Sequence, residues 1–246
     1  MLFRQLFERE SSTYTYLIAE RVGGEALLID PVRAELSQYL RLIDELDLHL
    51  VFAIDTHVHA DHLSTGRALA DVAGASYVLH ESAAARFPFE AVTDGARLEI
   101  GNVQLEVLHI PGHTPEHLGL LVTDRARSPE PWLVLTGHTL MVGDMGRTEL
   151  ATTADEGARA LFTSARRLKG LPDYLPILPG AFSGSVCGRA LSGNPTSTIG
   201  FERRFNRTFA IDEEQSFVAA MLRDIPPAPP GAAATRAANL GIGTGG

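Results

Sequence analysis

The chain has 246 residues, 45% of them hydrophobic and only 7% aromatic, enough apolar content for a sizeable core in one large or two small domains. Its formal net charge of −9 argues against nucleic-acid binding, because backbone phosphates would be repelled rather than neutralised. The apolar stretches are strand-length and broken by Gly, Pro or charge, and the N-terminus has no basic region followed by an apolar one, so a cytoplasmic protein without a membrane span is expected.

Residues 14–19 and 26–29 are rich in β-forming side chains and flank Gly23-Gly24, which predicts a hairpin. After Asp30-Pro31, the apolar positions Leu36, Leu40, Ile43 and Leu46 fall three and four apart, one face of an amphipathic helix. A strand over 48–54 then delivers Asp55, His57, His59, Asp61 and His62 within eight residues. Residues 62–72 have a helical pattern, 76–79 and 103–108 read as strands, and 111–115 is a loop. Two more short strands are expected at 118–122 and 132–135. A helix over 155–168 follows, with Ala158, Leu161, Ala165 and Leu168 on one face, and then a strand over 174–178 ending at Pro179-Gly180. Residues 181–194 are rich in Gly and Ser and predict a loop. The Pro-rich end of the chain predicts an extended arm, frayed over 241–246. This order suits two packed sheets with helices outside, in one domain over 1–225 with an arm over 226–246.

Three imidazoles at i, i+2 and i+5 after a strand offer neutral nitrogen ligands to a metal ion. The plainer alternative is a polar turn with Asp61 capping a helix. His113 and His138 also follow predicted strands, each beside a glycine, Gly112 and Gly137, that lets the backbone turn sharply and approach closely. Cys187 is the only cysteine, which excludes an intrachain disulfide and leaves histidines and carboxylates as the ligand pool. With only Arg189 nearby it reads as a loop or buried thiol rather than a nucleophile. His117 is expected to play a structural role, and His49, His80 and His109 to be solvated or core residues.

The string 56–62, the loop Pro111-Gly112-His113-Thr114-Pro115 and the run Leu135-Thr136-Gly137 together resemble the metallo-β-lactamase fold, an αββα sandwich. Within that superfamily the chain is most similar to persulfide dioxygenases, through Phe3-Arg4-Gln5-Leu6-Phe7, residues 11–17, Leu28-Ile29-Asp30-Pro31-Val32, Gly146-Arg147-Thr148 and Glu202-Arg203-Arg204-Phe205-Asn206. The resemblance spans residues 1–225. It implies a soluble α/β enzyme that converts glutathione persulfide and O2 to glutathione and sulfite at one non-haem Fe(II), in a family that often forms homodimers. Carried over, the iron ligands are His57, His113 and the position of His138.

Five departures from the family pattern bear on chemistry. His138 stands where the family has aspartate, which makes a three-histidine set and raises the charge of the centre by one unit. Ala181 stands where hydrolytic relatives have a second-metal histidine, so a dinuclear site loses a ligand. Asp61 and His62 are then expected to serve catalysis by orienting the ligand imidazoles, and His59 to be a fourth ligand or a proton carrier. Arg147 fits an arginine that holds glutathione, with a structural salt bridge as its plainer alternative, but Gly143 replaces a second arginine and Ser183 a tyrosine. About ten extra residues at 184–195 bring in Arg189 as a candidate anion contact, so the expected substrate class is a small thiol or persulfide. The alternatives are a zinc or iron thioester hydrolase of the glyoxalase II type, and a non-catalytic metal-binding or sensing protein.

Overall fold

Strand β2 (Thr13–Ala19) is buried along its whole length because both of its faces are covered. Tyr14, Tyr16 and Ile18 point into the central core, while Leu17 and Ala19 belong to a second cluster beneath a helical layer. That two-sided burial turns the alternation of an ordinary surface strand into a continuous apolar run.

The computed structural model describes residues 1–189, 191–223 and 225–242. β2 sits in a six-stranded sheet with β1 (Leu2–Glu8), β3 (Glu25–Ile29), β4 (His49–Ile54), β5 (Ser76–His80) and β6 (Glu90–Val92), ordered β1-β2-β3-β4-β5-β6. The first three strands are antiparallel and the rest run parallel from β3 onward. The second sheet uses β7 (Arg97–Ile100), β8 (Val103–His109), β9 (Leu118–Asp124), β10 (Leu133–Gly137), β13 (Pro176–Pro179) and β14 (Ser197–Thr198), ordered β14-β13-β10-β9-β8-β7. Between β10 and β13, β11 (Leu140–Met141) and β12 (Asp144–Met145) form a small separate hairpin.

The two sheets enclose the central core, with Leu105, Val107, Leu120, Val122 and Leu135 facing β2 and β3 residues. Helices α1 (Leu36–Glu45) and α2 (Gly66–Ala73) lie over the first sheet. Helices α3 (Ala154–Lys169), α4 (Ile199–Phe205) and α5 (Glu214–Leu222) lie over the second. The result is the expected αββα sandwich. α3 starts with a capping box: the Glu156 amide donates to Thr153 Oγ1 at 3.3 Å and the Thr153 hydroxyl to Glu156 Oε2 at 2.6 Å. No helix among the described residues is long and apolar enough to cross a membrane.

Two expectations change. The helix expected from residue 62 begins at Gly66, because the backbone at 63–65 pairs instead with the segment after β3. There the Arg33 amide donates to Leu63 O and the Thr65 amide to Pro31 O. The C-terminal arm is extended only at its prolines and then forms α6 (Ala232–Asn239), which the alanine-rich composition of that stretch favours. Residues 243–246 of the expected frayed end lie outside the described residues.

Candidate metal centre

Four strand ends meet at one edge of the sandwich. β4 leads into the histidine cluster, β8 into the loop of His113, β10 into His138, and β13 into Gly180 and Ala181. Two glycines make the approach possible. Gly112 has φ +139°, and a Cβ there would fall 2.5 Å from the Leu161 Cα of α3. β10 and β13 run parallel with Gly137 opposite Pro179, and a Cβ on Gly180 would sit 2.8 Å from the His138 ring.

His57, His113 and His138 place one ring nitrogen each within 4.8 Å of one another, and all three are buried. Hydrogen bonding fixes which nitrogens are available. The Thr56 hydroxyl donates to Asp30 Oδ2 at 2.9 Å, so His57 Nδ1, 3.0 Å from that hydroxyl, must be the donor to it. His113 Nδ1 donates to Arg147 O at 2.7 Å. Both Nε2 atoms are therefore unprotonated acceptors. His57 Nε2 is buried without a partner, and His113 Nε2 lies 3.3 Å from His138 Nδ1. An orphaned lone pair on His57, converging with two further buried imidazoles, is what a bound cation satisfies. The residues present therefore fit a divalent metal ion.

Burial, reinforced by the neighbouring imidazoles, holds His57 well below the usual histidine range. Burial takes His113 down to about 3, and takes His138 down to about 4 against the opposing pull of Asp61. His59 goes the other way. Burial alone would depress it, but Asp30, Asp61 and Asp55 override that and raise it well above its ordinary value. Its Nε2 donates to Asp30 Oδ1 at 3.1 Å, while Nδ1 faces Asp61 Oδ1 at 3.6 Å. The structure thus groups His59 with Asp61 and His62, apart from the three-histidine set. His62 Nδ1 lies 3.2 Å from Asp61 Oδ1 and 3.3 Å from the Thr13 hydroxyl. A cavity of about 440 Å³ reaches Asp61 and His62, and Arg33 is the basic side chain on its wall.

These shifts give a pH signature. In the unfolded chain each imidazole protonates near its ordinary value of 6.5, but in the fold His138 does so near 4 and His113 near 3. The metal-free fold then keeps its full stability above about pH 6.5 and loses it as pH falls through those folded values, by about 1.4 kcal/mol per unit for each group. The raised His59 contributes with the opposite sign, present below 6.5 and lost as pH rises. Urea midpoints of chelator-treated protein should fall steeply from pH 7 to pH 4, and a flat profile would contradict the buried neutral imidazoles.

His117, expected to be structural, accepts the His138 amide on Nε2 at 3.0 Å and donates from Nδ1 to Thr139 Oγ1, which donates on to Ile110 O. It therefore holds the His138 backbone. Two anchors were not legible in the sequence. Asp30, in the left-handed conformation at φ 53°, receives the Thr56 amide at 2.6 Å and fixes the start of the metal loop. Arg236 and Asn239 of α6 grip the same loop from outside, Arg236 at Val58 O and Asn239 at His59 O and His62 O.

The residues expected to bind substrate are placed differently from one another. Arg147 is buried, and its donors are committed to Glu149, Val186 O, Pro226 O and Pro227 O. It braces the 186–187 loop and the arm rather than presenting a free guanidinium. Arg189 donates to the carbonyls of Ala220, Met221 and Arg223 near the end of α5. Ser183 is exposed on the loop after β13. Cys187, set aside as a ligand on sequence grounds, is buried beside Asp61 and His138.

Buried histidines and carboxylates gathered on strand ends at one edge of an αββα sandwich define a metalloprotein of the metallo-β-lactamase class. The Metallo-beta-lactamase superfamily profile matches residues 9–180. The human persulfide dioxygenase ETHE1, mitochondrial, is 31% identical over 223 residues, covering 90% of this chain and 80% of the relative. The crystal structure of ETHE1 from Myxococcus xanthus superposes with TM-score 0.86 at 34% identity, covering 99% of this chain and all of the other. A metallo-beta-lactamase structure from Staphylococcus aureus subsp. aureus COL gives TM-score 0.90 at 34% identity, covering 97% of this chain and 72% of that one. The chain belongs to the metallo-beta-lactamase superfamily and, within it, to the family of the ETHE1 persulfide dioxygenases.

Proposed function

We propose that the chain is a mononuclear non-haem iron oxygenase that oxidises the sulfur of a small thiol or persulfide, working in the cytoplasm. The observation that carries this reading is the set of His57, His113 and His138, with tautomers that leave the Nε2 atoms of His57 and His113 unprotonated. Homology to the persulfide dioxygenases supports the reaction class. When bound, Fe(II) supplies the redox chemistry that joins oxygen to sulfur.

The chain's own residues do the rest. The buried walls around the three imidazoles keep bulk water from the reacting sulfur. His62 and Asp61 line the cavity of about 440 Å³ side by side, placed to move a proton between solvent and site, and His59 serves as a proton carrier behind Asp61. Residues 1–225 carry the activity, and α6 of the arm clamps the metal loop through Arg236 and Asn239.

The test is metal quantification on anaerobically purified protein together with oxygen uptake on adding glutathione persulfide, cysteine persulfide or the parent thiols. One iron per chain and persulfide-dependent oxygen consumption are expected. Protein without iron that consumes no oxygen with any of them overturns the proposal, and thioester turnover without oxygen assigns the chain to the hydrolases instead.

A further inference from the structure

A cavity of about 360 Å³ opens where α2 begins, and none of the three metal-site imidazoles lines it. Its wall carries Arg33, Thr65, Arg67 and Ala68. Arg33 and Arg67 are exposed, and among the described residues neither guanidinium has an ion-pair or hydrogen-bond partner; Arg67 only lies over the Phe87 ring, at 4.9 Å. Thr65 stands at the N-cap of α2, yet its side chain makes no capping bond. Its Oγ1 is buried without a partner, in a residue 2% exposed. With that cap missing, the Arg67 and Ala68 amides of the first turn make no hydrogen bond among the described residues either. Other polar groups on the wall are spent, the Tyr77 hydroxyl on Asp55 Oδ2 at 2.6 Å and the Asn239 amide on His59 O and His62 O. One carboxylate, Asp71, lies on the wall against the two guanidiniums.

The geometry points to an oxyanion site, for inorganic phosphate or the phosphate group of a small phosphorylated metabolite, held by Arg33, Arg67, the Thr65 hydroxyl and the open amides of α2. Two guanidiniums against one carboxylate leave the wall net positive, and a guanidinium fork matches phosphate oxygens. The amides stand at the positive end of the α2 dipole. The Thr65 hydroxyl is a buried donor with nothing to donate to, a cost that an oxyanion relieves. The cavity takes a phosphate group with space left for the rest of an ester. Arg33 and Thr65 come from two paired segments, the Arg33 amide donating to Leu63 O at 2.8 Å and the Thr65 amide to Pro31 O at 2.9 Å. An anion between their side chains therefore adds a second link between the segment after β3 and the end of the metal loop.

The site stands independently of the proposed reaction. Its test is calorimetric titration of the purified full chain with sodium phosphate, and in parallel with glycerol 3-phosphate, against sodium chloride at matched ionic strength. One anion per chain should bind saturably, and at about ten times its dissociation constant should raise Tm by about 3–6 °C. Binding should weaken about tenfold in Arg67→Ala and be lost in Arg33→Ala/Arg67→Ala, both at exposed side chains. Phosphate held by a metal ion, or general stabilisation by an excluded salt, would survive those changes. Thr65→Val should also weaken binding about tenfold while leaving the phosphate-free Tm unchanged or higher, because it removes an unpaired buried hydroxyl and no capping bond. Equal affinity for the two probes identifies the free anion and tighter binding of the ester a phosphorylated metabolite, and either supports the site. Absence of saturable binding, or affinity in the double variant equal to that of the wild type, overturns it.

Discussion

Replacing His113 or His57 by alanine is expected to take bound metal from stoichiometric to background, a loss larger than the 10–100-fold that partners behind the ligands typically control. Each removes an Nε2 acceptor whose proton is locked on the other nitrogen, by Arg147 O for His113 and by the Thr56 hydroxyl for His57. No neighbouring group can replace it, because His59 is turned to Asp30 and His117 is spent on the His138 amide. The ion-free fold should survive, and be less acid-labile, since one imidazole that resists protonation is gone. Metal content after dialysis, with circular dichroism to confirm folding, reads both effects. His49→Ala, exposed at the start of β4, serves as the control and should keep its metal. Full metal content in both His57→Ala and His113→Ala would remove the three-histidine centre from consideration.

The candidate ligands were legible as a group because strand ends converge in sandwiches of this kind, and because imidazoles beside glycines carry a chemical meaning that periodicity alone does not. Periodicity located β2, β3, α1, β4 and α3 because each buries a full face or both faces of one element. It failed at β1, where Leu2–Glu8 shows no regular alternation of burial, and at α2, whose first residues are diverted to pair with 31–33. α4 and α6 are only 7 and 8 residues long, too short for a periodic signal.

The second layer of the site stayed hidden for a different reason. Asp30 lies 26 residues from Thr56, and Arg236 lies 178 from Val58. Nothing local marks either residue as part of a metal loop. Arg147 shows the converse. A motif marked it for substrate, while the tertiary fold spent its guanidinium on Glu149 and on the carbonyls of the loop and the arm.

That dependence on the far end of the chain makes Arg236→Ala the second large expected effect. The guanidinium grips Glu116 with both arms, at 3.0 and 3.2 Å, and reaches Val58 O at 2.6 Å. Glu116 Oε1 also accepts the Val58 amide at 3.0 Å, so one buried carboxylate ties together the loops of His57 and His113. Removing the cation leaves Glu116, only 3% exposed, without its counter-charge. Breaking a buried pair from one side typically costs 3–5 kcal/mol, and because the Arg236 side chain retains 17% exposure the low end, about 3 kcal/mol, is expected. For a domain of this size that lowers Tm by about 6–12 °C. Metal affinity should fall by about 10–100-fold as well, because Val58 sits between His57 and His59 and its backbone is no longer fixed from both sides. Adding Glu116→Gln to Arg236→Ala removes the stranded charge, so it should recover part of the lost Tm but not the metal affinity. Truncation after residue 230 should reproduce the loss of affinity by removing Arg236 and Asn239 together. If Arg236→Ala keeps wild-type Tm and metal affinity, α6 is an ornament on the fold rather than a clamp on the centre.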